Sequence, residues 1–62
     1  MKKLQLTAQA YKKAREARGT QTEVAEQLGV TQVTLSRRET GAVPVTREVM
    51  LALLSLEEKA KG

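Results

Sequence analysis

Three of the four glycines punctuate this chain internally, and a threonine answers each of them: Gly19 by Thr20, Gly29 by Thr31, Gly41 by Thr46. Glycine is a frequent helix terminator and threonine a frequent helix starter. With Thr7 ahead of the first apolar-periodic stretch, the punctuation divides the chain into four short helices. Thr7 caps the first, with Leu6 and Tyr11 at the spacing of a hydrophobic staple. Ala10, Ala14 and Ala17 form a small-residue stripe that lets another helix approach closely, and Gly19 stops the helix. Thr20 opens the second helix, where Glu23 completes a T-x-x-E capping box. Val24, Ala25 and Leu28 form its buried face. Gly29 ends it with an expected positive φ, where a side chain costs about 1 kcal/mol.

The third helix, 32–39, starts after Thr31, with Val30 and Leu35 as its staple. Only Leu35, with the stem of Arg38, points to the core; Gln32, Val33, Ser36 and Arg37 face outward. Gly41 and Pro44 mark the following loop. Thr46 caps a fourth helix, with Val45 and Met50 as a third staple. This helix is expected to run to about Lys59, with Lys59 and Lys61 suited to its C-terminal dipole. The fold class is therefore all-α: one domain over 1–62, its core over about 7–60, with 1–6 as an extended arm.

Composition narrows the chemistry. The large apolar residues are Leu, Val, two Met and one Tyr, with no Phe, Ile or Trp. So thin a core implies modest stability, to which dimerisation would add. Cys and His are absent, which closes zinc-finger, thiol-redox and His-based catalytic readings. Asp is absent too, and Glu23, Glu26 and Glu39 are better explained by capping, exposure and ion pairing, so no enzyme, cofactor or metal site is expected. The longest apolar run, Val49 to Leu54, is too short to span a bilayer. Lys2 and Lys3 precede no apolar segment of signal-peptide length, so a soluble cytoplasmic protein is expected.

Charge is uneven. Residues 1–22 carry Lys2, Lys3, Lys12, Lys13, Arg15 and Arg18 against Glu16, a balance of +5, while 23–62 balance to −1. A basic N-terminal third fits a polyanionic partner, or equally a solvated helix face. Lys2, Lys3, Lys12, Lys13 and Arg18 are diffuse candidates for backbone attraction, most of them solvated.

Two short helices joined at Gly29, the second polar and basic outside, have the layout of a helix-turn-helix. Thr20 to Leu54 resembles the domain of Cro and the phage repressors, the XRE-type regulators. Ala25 falls where that family needs a small residue at the helix crossing. Gly29 falls at the turn, and Val30 and Leu35 fall at two of its core positions. Glu39-Thr40-Gly41 matches the E-x-G after the recognition helix, and Arg15 to Gly19 matches the R-E-x-x-G that ends the first helix. The resemblance implies a compact four-helix, lambda-repressor-like domain with the helix-turn-helix at helices two and three. Three departures stand out. Thr20 alone separates Gly19 from Gln21 where many relatives have two residues. Arg38 stands where the family usually buries Ile or Trp, and is expected to snorkel toward a phosphate or a carboxylate. No counterpart of the family's frequent fifth helix, or of Cro's C-terminal strands, is expected.

From this resemblance Gln21 is expected to bond a DNA phosphate, helped by its helix dipole. Arg15 and Glu39 are implied to form a partly buried structural ion pair. Base contacts are expected from Gln32, Val33, Ser36 and Arg37. A glutamine amide bonds an adenine edge bidentately, valine suits a thymine methyl, and arginine either forks onto guanine or holds a phosphate. Thr20, Thr31, Arg38 and Thr40 are further phosphate candidates, the threonines also serving as caps. Helix four is apolar almost all round. Val49, Ala52, Leu53 and Leu56 suffice to close the core, which leaves Met50, Leu51 and Leu54 for a second subunit, unless helices one and two wrap around them.

The expected function is a sequence-specific double-stranded DNA-binding regulator of bacterial or phage origin, acting at the nucleoid. It would work as a homodimer, at least on DNA, on a palindromic operator and without a small-molecule effector. The alternative is an antitoxin or small helical adaptor that binds a protein through helix 46–59.

Overall fold

The computed structural model describes residues 4–58. It contains α1 (Ala8–Glu16), α2 (Gln21–Leu28), α3 (Gln32–Thr40) and α4 (Arg47–Leu54). Lys2, Lys3, Lys59 and Lys61, and with them part of the expected arm, lie outside the described residues. Each helix begins at its threonine. The hydroxyl oxygens of Thr7, Thr20, Thr31 and Thr46 accept from the backbone N–H groups of Ala10, Glu23, Thr34 and Val49. Thr20 and Glu23 close the capping box in both directions. These bonds satisfy donors that a helix start leaves without intrahelical partners. Among the described residues no helix is long and apolar enough to cross a membrane.

The four helices share one core of Tyr11, Val24, Ala25, Leu35, Val45, Met50 and Leu53. Each helix contributes at least one of these residues, because each has apolar side chains to hide. α3 packs on α1 and α2, and α4 packs on the same pair. Leu4 lies against this core, so the described end of the expected arm is not free.

Four expectations are corrected. Met50, assigned to a second subunit, is only 2% exposed and belongs to the monomer's own core. Its staple partner Val45 is buried beside it in the same cluster, as their spacing across the Thr46 cap favours. Ala52, expected on the buried stripe, is exposed. α4 ends at Leu54 rather than near Lys59. The backbone turns at Ser55, whose hydroxyl donates to the Ala52 carbonyl at 2.6 Å, and Leu56 folds back against the core. Arg18, expected among solvated cations, is 7% exposed. Its Nε donates to the Leu56 carbonyl at 3.0 Å and its Nη1 to the Ala14 carbonyl at 2.8 Å. The turn that stops α4 thus supplies the carbonyl that holds Arg18.

Candidate nucleic-acid interface

The bend between α2 and α3 is built at Gly29, in the left-handed region at φ 74°. An added Cβ there would meet no heavy atom within 4 Å, so glycine is required by the backbone and not by crowding. The Val30 N–H closes the turn on the Ala25 carbonyl at 3.0 Å, and Thr31 immediately starts α3.

α3 is sharply two-sided. Leu35 is its only fully buried residue. Gln32, Val33 and Arg37 are exposed and Ser36 is half-buried. Val33 is 58% exposed, the most exposed large apolar side chain among the described residues. It stands on an otherwise polar surface, beside Gln32.

Behind this surface runs a chain of polar contacts linking three helices. Arg15 of α1 forks onto Glu39 of α3: Nε donates to Oε2 at 2.8 Å and Nη2 to Oε1 at 3.0 Å. Its Nη1 donates to the Gly19 carbonyl at 3.2 Å. The Gln21 amide, at the first turn of α2, donates to Glu39 Oε1 at 3.1 Å. Gln32 in turn donates from Nε2 to the Gln21 oxygen at 3.1 Å. The Arg15 and Glu39 side chains are only 12% and 4% exposed. The hydrogen bond to Glu39 raises the Arg15 guanidinium above its ordinary range; burial opposes this and the Glu39 charge adds to it. From sequence, the Arg15–Glu39 pair, Gln21 and Gln32 carry separate roles. Their connection was foreshadowed only by Gln21 opening the helix that faces the E-x-G segment.

Of the threonine candidates, Thr20 and Thr31 are engaged as N-caps. Thr31 and Thr34 hydroxyls also share a hydrogen bond at 2.9 Å, and Thr40 donates to the Arg37 carbonyl at 3.2 Å. Arg38 does not belong to the outer surface. It follows Leu35 by three residues and so shares its inward side. Its Nη1 donates to the Tyr11 hydroxyl at 3.1 Å, and its Nε is buried without a hydrogen-bond partner. The expected phosphate or carboxylate is thus replaced by a tyrosine hydroxyl. Where the resembled family places Ile or Trp, an open cleft of about 180 Å³ remains, lined by Leu28, Val30, Arg38, Glu48, Val49 and Ala52.

A helix-turn-helix, with a glycine bend and a second helix whose outer side is polar, defines a class of DNA-binding domain. The helix-turn-helix family model matches residues 12–56, most of the chain. The chain belongs to this family, in its Cro and XRE branch, and is a DNA-binding regulator of the XRE type. No curated protein and no solved structure is significantly similar to it.

Proposed function

We propose that the protein reads a specific operator in double-stranded DNA by laying the outer side of α3 in the major groove. The supporting observation is the composition of that side: Gln32, Val33 and Arg37 stand toward solvent with Ser36 half-buried among them, while Leu35 is the fully buried residue of the helix. Gln32 takes an adenine edge, Val33 a thymine methyl and Arg37 a guanine edge, with Ser36 adding a shorter polar contact. Gln21, Thr20, Thr31 and Thr40 touch phosphates around the groove and position the helix without choosing sequence. Gln21 suits this role because one N–H of its amide remains after the bond to Glu39.

Leu51 and Leu54 are 46% and 38% exposed on α4, and they support a homodimer through this helix. A two-fold dimer would hold two recognition helices about 34 Å apart and bind a palindromic site, as a Cro-like repressor in a bacterial or phage setting does. The same two leucines favour the second reading, an antitoxin or adaptor that uses α4 to hold another protein.

Selection of binding sites from a random oligonucleotide pool, followed by gel shift at low and high salt, tests the first reading. A consensus that loses its preference in Gln32→Ala and Arg37→Ala supports it, with affinity falling steeply as salt rises. Unchanged affinity and preference in both variants would discard the assignment of α3. Little binding to any DNA at either salt would favour the protein-binding alternative.

A further inference from the structure

We infer that Glu39, acting through Gln21, is a positioning residue that sets the polarity of the Gln32 amide and so selects adenine over guanine. This rests on the reading that Gln32 meets a base edge. An ionised carboxylate accepts hydrogen bonds and donates none. Glu39 already accepts two from Arg15, and the Gln21 amide lies 3.1 Å from its Oε1. Gln21 must therefore turn its nitrogen toward Glu39, and with its second N–H given to a phosphate its carbonyl oxygen is what faces Gln32. That oxygen accepts from Gln32 Nε2 at 3.1 Å.

The two ends of an amide are nearly identical in shape. Their order is settled by the hydrogen-bonding partners at the far end of the relay. With one N–H given to Gln21, Gln32 retains one N–H and its carbonyl. Adenine presents one acceptor and one donor in the major groove, N7 and N6–H₂, and needs this pair. Guanine presents two acceptors, N7 and O6, and needs two donors. If every link were reversed, the Gln32 carbonyl would face Gln21 and both N–H groups would be free for guanine. The buried carboxylate of Glu39 holds the relay in the adenine sense.

Glu39→Gln removes the direction. Arg15 needs acceptors on both of its forks, and the substituted amide has only one oxygen to offer, so its NH₂ competes to face Gln21. Gln21→Leu cuts the relay while leaving the Arg15–Glu39 pair intact. The measurement is the dissociation constant, by fluorescence anisotropy, for a selected operator and for the same operator with its Gln32-contacted A·T pair changed to G·C. The pair is identified as the one whose preference disappears in Gln32→Ala. Wild type should prefer adenine by roughly 5- to 150-fold, the range for one bidentate contact. In both variants Gln32 remains but its amide can turn either end to the base, so the ratio should fall to within about threefold. Preferences at the Val33 and Arg37 pairs should persist.

A purely structural role would lower the melting temperature and weaken all operators alike, leaving the adenine ratio at its wild-type value. That outcome overturns the inference, as does a wild type that prefers guanine at this pair. If Glu39→Gln fails to fold, Gln21→Leu decides. A pool with no consensus, or Gln32→Ala with unchanged preference, removes the operator reading and this inference with it. Retained adenine preference in Gln21→Leu removes only the inference.

Discussion

Replacing Arg15 with methionine isolates the most buried charge pairing among the described residues. The change preserves an unbranched apolar stem of similar reach but removes three donors. Two of these serve Glu39, at 2.8 and 3.0 Å, and the third serves the Gly19 carbonyl. Glu39 is then left inside the protein with only the Gln21 amide. Stranding one member of a buried pair costs about 3–5 kcal/mol. The lower figure, about 3 kcal/mol, is appropriate because part of Arg15 still meets solvent. In a domain of this size 1 kcal/mol moves Tm by about 4–8 °C, so the expected loss is about 12–24 °C. Thermal and urea unfolding followed by circular dichroism measures it. Lys12→Ala, at an exposed position of the same helix, should stay within about 0.5 kcal/mol of wild type. Arg15→Met combined with Glu39→Leu should recover most of the loss, because removing both charges leaves none stranded. Equal small shifts in Arg15→Met and Lys12→Ala would refute the reasoning. So would a double variant no more stable than Arg15→Met alone. Because the Arg15 guanidinium is raised, its contribution is complete below the ordinary arginine range. It is lost only as pH climbs through the raised value, so alkaline titration to about pH 10 should leave this part of the stability intact.

Arg18→Ala should cost about 2 kcal/mol, since it removes charged donors from the Leu56 and Ala14 carbonyls, and urea unfolding measures it. Tyr11→Phe should cost about 1 kcal/mol in wild type, where it orphans Arg38 Nη1, and nothing in an Arg38→Ile background; a double-mutant cycle in thermal unfolding reads the coupling. Replacing Leu51 and Leu54 together with lysine should abolish dimers in sedimentation across micromolar concentrations without lowering Tm by more than a few degrees, whereas Met50→Lys should unfold the domain.

The helix starts were legible because their causes are local. A threonine cap and the N–H it satisfies lie three residues apart, so Thr7, Thr20, Thr31 and Thr46 can be assigned without knowledge of the rest of the chain. The same holds for Gly29, whose positive φ is a property of its own backbone. The outward set on α3 was legible for a related reason: of its two apolar residues only Leu35 stands at staple spacing from Val30, which leaves the helix little choice of inward side. In the E-x-G and R-E-x-x-G segments the ion-pair partners were recognisable by resemblance, although they lie on different helices.

Distant contacts were not legible in this way. α4 offers apolar residues around most of its circumference, and periodicity alone cannot say which of them meets α1 and α2. Packing chose Met50 and Leu53 and left Leu51 and Leu54 outside. Arg18 resembles any surface cation in sequence, and it is buried because the turn after α4 brings the Leu56 carbonyl to it. For Arg38 the spacing from Leu35 turned the stem inward, but only the packed helices supplied the Tyr11 hydroxyl as its partner. Local hydrogen bonds let the chain itself determine where helices begin, and its apolar spacing which side of α3 is polar. Only the assembled helices decided which charges went inside, because a long cation follows whatever acceptor the neighbouring elements bring within reach.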